Sequence, residues 1–180
     1  MTRQIEGLVR ARISERPLGL PVSRLRGAKR EGMVFERSLE GQLPSGARNG
    51  QWWEFWDRNG LGYCQTDWVI EAQQSVLLLE CKLGQHWEAW QQIEGLYGPV
   101  LAMATGKRVF GVQVCKFLRK DRASDHERLV HTLEDALEAC RAGARPVLHW
   151  SGLAPLRRNP PVSHMGVAGA RGTVAAIERI

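Results

Sequence analysis

The stretch YCQTDWVIEAQQSVLLLECK, residues 63–82, decides how the chain folds. It holds two apolar runs, Trp68-Val69-Ile70 and Val76-Leu77-Leu78-Leu79, separated by the polar Ala72-Gln73-Gln74-Ser75. Short runs rich in β-branched and aromatic residues, bounded by a polar turn, predict two antiparallel strands, Tyr63 to Glu71 and Val76 to Lys82. Gln-Gln is a poor two-residue turn, so the loop can be longer, but its centre stays between Gln73 and Gln74. Pairing symmetric about that centre puts Asp67 opposite Glu80, at about 4.5–5.5 Å between Cβ atoms. A register shift by two would weaken this juxtaposition but keep the face. Alternation along the strand puts Glu80 and Lys82 on one face while Cys81 points away.

Working outward, a helix is expected from Gly27 to Glu40, with Met33, Val34, Leu39 and the stem of Arg37 packing inward. Residues 41–50, GQLPSGARNG, read as loop, and Gln51 to Trp56 as a strand. Asp57-Arg58-Asn59-Gly60 then forms a hairpin turn. On the other side, a helix runs from His86 to Thr105, irregular at Gly95, Gly98 and Pro99, with Trp87 and Trp90 facing the sheet. Lys107 to Phe117 is a strand. Ser124 caps a helix to Ala142 that packs through Leu129, Val130, Leu133, Leu137 and Cys140, and Pro146 to Trp150 is a last strand. The order predicts an α/β fold: a central mixed β-sheet flanked by helices on both faces. Residues 27–152 make the domain. Residues 1–26, which begin with a short helical pattern at Ile5, Leu8, Val9 and Ile13, form a basic arm, and residues 153–180 a flexible tail.

The charge is uneven along the chain. Residues 1–30 hold eight Lys and Arg against two Glu, and residues 141–180 hold six Arg against one Glu. The body between them, with 11 Lys and Arg against 16 Asp and Glu, is mildly acidic. Basic ends suit the phosphate backbone of DNA, with Arg24, Arg26, Lys29 and Arg30 as the candidate contacts, although Arg-rich ends are also common as solvated tails. No apolar run is long enough for a membrane span, and MTRQIEGLVRARI lacks the apolar stretch of a signal peptide, so no membrane partner and a cytoplasmic location are expected. A phage-encoded protein would sit in the host cytoplasm. Four cysteines without CxxC spacing (64, 81, 115 and 140) read as buried free thiols, not a zinc site. Trp52, Trp53, Trp56, Trp87 and Trp90 suit a core or an interface better than base stacking, which leaves a homo-oligomer open.

Two facing carboxylates repel, and both stay ionised comfortably only with a cation between them. An oxygen-built site favours Mg²⁺, with Mn²⁺ able to substitute. Such an ion can polarise a phosphoryl oxygen and lower the pKa of a water, while Lys82 adds positive charge where negative charge develops. That set of parts suits phosphodiester hydrolysis. Each residue also has an ordinary reading: Asp67 as a turn residue, Lys82 as a strand-end lysine escaping to solvent, Glu36 as one of three helix-face glutamates with Glu31 and Glu40. Glu80 after four apolar residues is the hardest to explain without a partner.

Asp67, a hairpin, and Glu80-Cys81-Lys82 resemble the signature of the PD-(D/E)XK nuclease superfamily. Gly32-Met33-Val34-Phe35-Glu36 on a preceding helix, and Gln92-Ile93-Glu94-Gly95-Leu96-Tyr97 ten residues after Lys82, are similar to the branch that includes lambda exonuclease and the bacterial recombination nucleases. The resemblance covers residues 27–117. It implies a restriction-endonuclease-like αβββαβ core and catalysis by Asp67, Glu80, Lys82 and Gln92. It further implies a metal surrounded by Asp67, Glu80, Cys81 and Glu36, and a DNA substrate in recombination, repair or phage DNA processing. Thr66 stands where the motif has Pro, the Gln-to-Tyr spacing is one residue longer than usual, and Gln91 competes with Gln92 for the role. The alternative is a non-catalytic DNA-binding or assembly protein on the same fold.

Overall fold

The computed structural model describes residues 4–7, 9–12, 15–17, 26–118 and 126–157. Nine strands are assigned among them: β1 (Arg10–Arg12), β2 (Arg48–Asn49), β3 (Trp52–Asp57), β4 (Gly60–Gln65), β5 (Trp68–Glu71), β6 (Ser75–Gly84), β7 (Arg108–Phe117), β8 (Glu127–Val130) and β9 (Arg145–His149). The helices are α1 (Ala28–Ser38), α2 (Trp87–Gln92), α3 (Gly98–Thr105) and α4 (Leu133–Arg141). Six strands form a mixed sheet in the order β2-β5-β6-β7-β9-β8. β2, β5 and β6 pair antiparallel, whereas β6-β7, β7-β9 and β9-β8 pair parallel.

Helices cover both faces, as an α/β fold requires. One face buries Trp68, Ile70, Leu77, Leu79 and Cys81 against Phe35 and Leu39 of α1 and against Leu133, Ala136 and Leu137 of α4. The other buries Val69, Val76 and Leu78 against Trp90, Ile93, Tyr97, Val100 and Leu101. Trp53, Phe55 and Cys64, from a separate small sheet of order β1-β3-β4, complete that second core. β6 is buried over Ser75–Cys81, which explains its continuous apolar sequence: a central strand has no solvent face to pay for with polar residues.

The β5-β6 register is the expected one, running from Trp68↔Leu79 to Glu71↔Val76 about the Gln73-Gln74 turn. The expected strand Tyr63 to Glu71 is instead two strands in two sheets. The chain bends at Thr66-Asp67, where the buried Thr66 bonds Gln51 O through its N–H at 3.1 Å and accepts Trp53 Nε1 at 3.2 Å. Asp67 thus lies at a bend, not within a strand. The Asn59-Gly60 hairpin forms, with Gly60 at φ 100° and Asp57↔Gly60 as its closing pair.

Other expectations need correction. The start of the chain is not helical where described: Ile5 bridges Asp57 and β1 pairs with β3. On α1 it is Phe35 and Leu39 that are buried, while Val34 and Arg37 face solvent. Trp87 is also exposed, and only Trp90 of that pair faces the sheet. Glu127–Val130 is an edge strand beside β9, not the start of a helix; α4 begins later, with Thr132 Oγ1 accepting from Asp135 N at 3.1 Å. Ser124 lies outside the described residues. The helix after Gly84 has a π turn over Ile93–Tyr97, where Gly98 N–H bonds Ile93 O. Pro99 has no N–H to continue the α pattern, and a Cβ on Gly98 would approach Ile93 O to 2.7 Å, so the wide turn requires glycine there. No helix among the described residues is long and apolar enough to cross a membrane.

Candidate active site

The polar cluster sits where β5 begins and β6 nears its end. Glu80 is 1% exposed, flanked on its own strand by apolar neighbours. Its Oε1 accepts Lys82 Nζ at 2.7 Å, two residues along the same face. Lys82 Nζ also donates to Gln92 Oε1 at 2.8 Å, so α2 positions the lysine from above. Gln92 in turn donates to the Tyr97 hydroxyl at 3.4 Å, so both residues of the Gln-and-Tyr helix reach the site despite their longer spacing. The π turn over Ile93–Tyr97 carries Tyr97 to the buried face of the helix. Gln92 is the glutamine that faces Lys82, while Gln91 is exposed.

Asp67 stands one residue before Trp68↔Leu79, level with Glu80. Its Oδ2 accepts the Cys81 N–H at 2.7 Å. Its carbonyl is held by Gly50 N at 2.9 Å and Asn49 Nδ2 at 3.1 Å. Asn49 also donates to Glu36 Oε1 at 2.5 Å, and Trp68 Nε1 bonds Glu36 O at 3.0 Å. Asn49 was not among the sequence candidates. It falls in a segment that reads as plain loop, and only the pairing Asn49↔Trp68 brings it to the site.

The electrostatics follow from this crowding. Burial first, then the charges of Glu80 and Glu36, push the Asp67 carboxyl well above its usual range. Burial also raises Glu80, against the pull of Lys82, and raises Glu36, against its hydrogen bond from Asn49. For Lys82, burial is more than offset by Glu80 and the bond to it, so its ammonium is held above the usual lysine value.

A cation fits this chemistry. Glu80 Oε2 is buried and has no hydrogen-bond partner, which is costly for a carboxylate oxygen unless something positive reaches it. The crowding points the same way: burial disfavours the ionised form of all three carboxyl groups, as do the charges of Glu80 and Glu36 at Asp67, unless a cation reaches them. Among the described residues, however, no three His, Cys, Asp or Glu side chains close into a ready-made cage; the acids are engaged by Lys82, Asn49 and the Cys81 N–H. The Cys81 thiol is not a ligand candidate. It is buried among Leu77 and Leu79 on the opposite face, and burial first, then the nearby acids, pushes its pKa well up, keeping it protonated. Cys81 can face a cation only through its main-chain carbonyl, on the same strand edge as the N–H that meets Asp67. Arg26, Lys29 and Arg30 are exposed at the start of α1, and Arg24 lies outside the described residues.

No family model and no curated protein matches the chain. Among solved structures it is similar to protein VC1899 from Vibrio cholerae, at 13% identity and a TM-score of 0.40 over 73% of this chain. The chain spans 32% of that protein's length. A likeness at that level carries no inference about chemistry.

Proposed function

We propose that the chain is a divalent-metal-dependent nuclease that hydrolyses DNA phosphodiester bonds, with a PD-(D/E)XK-type centre. The observation that carries this reading is the buried Glu80, with one oxygen on Lys82 and the other unpartnered, level with Asp67. A structural ion pair alone would not bring a second and third acid to the same place.

Asp67, Glu80 and Glu36, with the Cys81 carbonyl, are the groups that would hold Mg²⁺ or Mn²⁺. When bound, the ion supplies Lewis-acid polarisation of a phosphoryl oxygen and a lowered pKa for water. The protein's own residues do the rest. Lys82 stays protonated and is fixed by Glu80 and Gln92, so its positive charge needs no reorganisation as negative charge builds on the phosphate. Gln92, itself bonded to Tyr97, holds the lysine from the helix side, and Asn49 ties Glu36 to the bend that carries Asp67. The exposed cations of α1 suit phosphate contacts beside the site.

Calorimetric titration of Mn²⁺ paired with cleavage assays on single-stranded, linear duplex and circular DNA tests the proposal. Wild type should bind the ion and cut at least one form, and both should fail in Asp67→Ala. Wild-type protein that neither binds Mn²⁺ nor cuts any form would overturn the catalytic reading and favour a DNA-binding protein on the same fold.

A further inference from the structure

Two large rings stand in solvent at the rim of this site. Trp87, in the first turn of α2, is 62% exposed, and Phe117, the last residue of β7, is 58% exposed. Their placement follows from the register. Lys82 pairs with Cys115, and one same-face step further Gly84 pairs with Phe117, so Phe117 lies about 6.6 Å beyond the level of the lysine. Phe117 shares the face of Gln113 and Cys115, and Gln113 bonds His86 O at 2.7 Å, which fixes the start of α2 over that same face. Across from Phe117, β6 offers only Gly84, which has no side chain to set against the ring. Both rings leave apolar area in water near the polar cluster, area that a ligand with flat apolar faces would cover.

The surrounding charge says what kind of partner fits. Lys116 Nζ lies 5.2 Å from the centre of the Phe117 ring and pairs with Glu31 of α1 at 3.2 Å. That pair seats the amino-terminal half of α1, with exposed Arg26, Lys29 and Arg30, next to the rim. Four cations, Arg26, Lys29, Arg30 and Lys116, lie on the α1 side of the rim against Glu31, while Glu88 stands beside Trp87 and the site itself is acid-rich. Exposed rings, one of them with a lysine over one face, match a phosphate chain with unstacked bases. A duplex keeps its base faces stacked inside and has no use for such rings.

We infer that Trp87 and Phe117 stack unpaired bases, so that the site takes single-stranded DNA. This rests on the nuclease reading for the identity of the ligand, but its test does not need cleavage. The measurement is fluorescence anisotropy of a labelled oligothymidylate and of a labelled duplex of equal length, in EDTA at fixed salt. The proteins are wild type, Trp87→Ala, Phe117→Ala, and Trp87→Phe as the variant that keeps a stacking ring. Each alanine should weaken single-strand binding by between about fivefold and about a hundredfold, with duplex binding little changed and Trp87→Phe restoring most of the loss. Both side chains are exposed, so the fold should survive, and circular dichroism checks that. Unchanged single-strand affinity in both alanine variants overturns the inference. So does a self-associating wild type that becomes monomeric in these variants with no loss of affinity, because the rim would then be a contact between copies of the chain. Rim-dependent binding by a protein that cuts nothing would support this inference while refuting the nuclease reading. Cleavage with rim-independent binding would do the reverse.

Discussion

Replacing Asp67 by Asn should stabilise the metal-free protein at pH 8 while destroying its proposed function. Asparagine keeps the shape and the acceptor for the Cys81 N–H, so only the charge is lost. Asp67, at the bend before β5, is level with Glu80 of β6, and unit charges about 5 Å apart repel by roughly 3 kcal/mol at an effective dielectric of about 20. Weakening the charge-assisted bond to Cys81 takes back about 1 kcal/mol. The net gain is then on the order of 2 kcal/mol, or roughly 4–8 °C in Tm for a chain of this size. The pH dependence is the sharper readout. Asp67 is raised above its ordinary value of 3.8 by burial and then by its acidic neighbours, so over the pH interval between the unfolded and folded values the folded protein holds a proton that the unfolded chain has released. Its contribution to stability is fully present below that ordinary value and is lost as pH rises towards the folded one. The asparagine variant does not suffer this loss. The stability difference should therefore open as pH rises from about 4, at up to about 1.4 kcal/mol per pH unit. Urea denaturation between pH 5 and pH 8 in EDTA measures it. A variant less stable than wild type at pH 8, or a difference that does not vary with pH, would refute the electrostatic account of the site.

Lys82→Ala should abolish cleavage yet retain Mn²⁺ binding by calorimetry, because the lysine acts on the phosphate and not as a ligand; cutting at the wild-type rate would show that its role is misassigned. Glu80→Ala should lose both together. Removing Arg26, Lys29 and Arg30 singly should each lower the slope of log affinity against log salt by about 0.7 on single-stranded DNA, and an unchanged slope would return the start of α1 to the status of a solvated helix end. Gly111→Ala places a Cβ 2.2 Å from Ile93 Cγ2 on the π turn, so it should destabilise the fold by about 1–3 kcal/mol in urea titration.

The parts of the fold legible in the sequence are those fixed by local geometry. The β5-β6 register needed only a turn centre and strand alternation, and it delivered Asp67 level with Glu80. Glu127–Val130 was misread because Leu129, Val130 and Leu133 happen to fall at helical spacing. What makes it a strand is the edge of β9, some 18 residues later in the chain, which no local pattern announces. The helix after Gly84 was legible in extent, but not in its π turn, which depends on the tertiary demand that Tyr97 face inward.

The site divides in the same way. Glu80, Lys82 and Gln92 lie on two consecutive elements and are joined by bonds that spacing could anticipate. Asn49 could not be found, because its role exists only through a two-residue strand against β5. The bend at Asp67 is the most informative departure. Within a continuous strand, the Asp67 main chain would have been committed to the ladder on both sides. At the bend, its carbonyl is taken instead by Gly50 and Asn49, and its carboxylate reaches along to the Cys81 N–H, towards the end of β6. Breaking one expected strand into two thus supplies both the second layer that buries Trp53 and Phe55 and the side-chain direction that sets Asp67 beside Glu80. The buried Thr66 is what holds that break, through Gln51 and Trp53, at the position where the resembling motif carries a proline. A hydroxyl that pins the turn by hydrogen bonds does there what a ring would do by restricting φ.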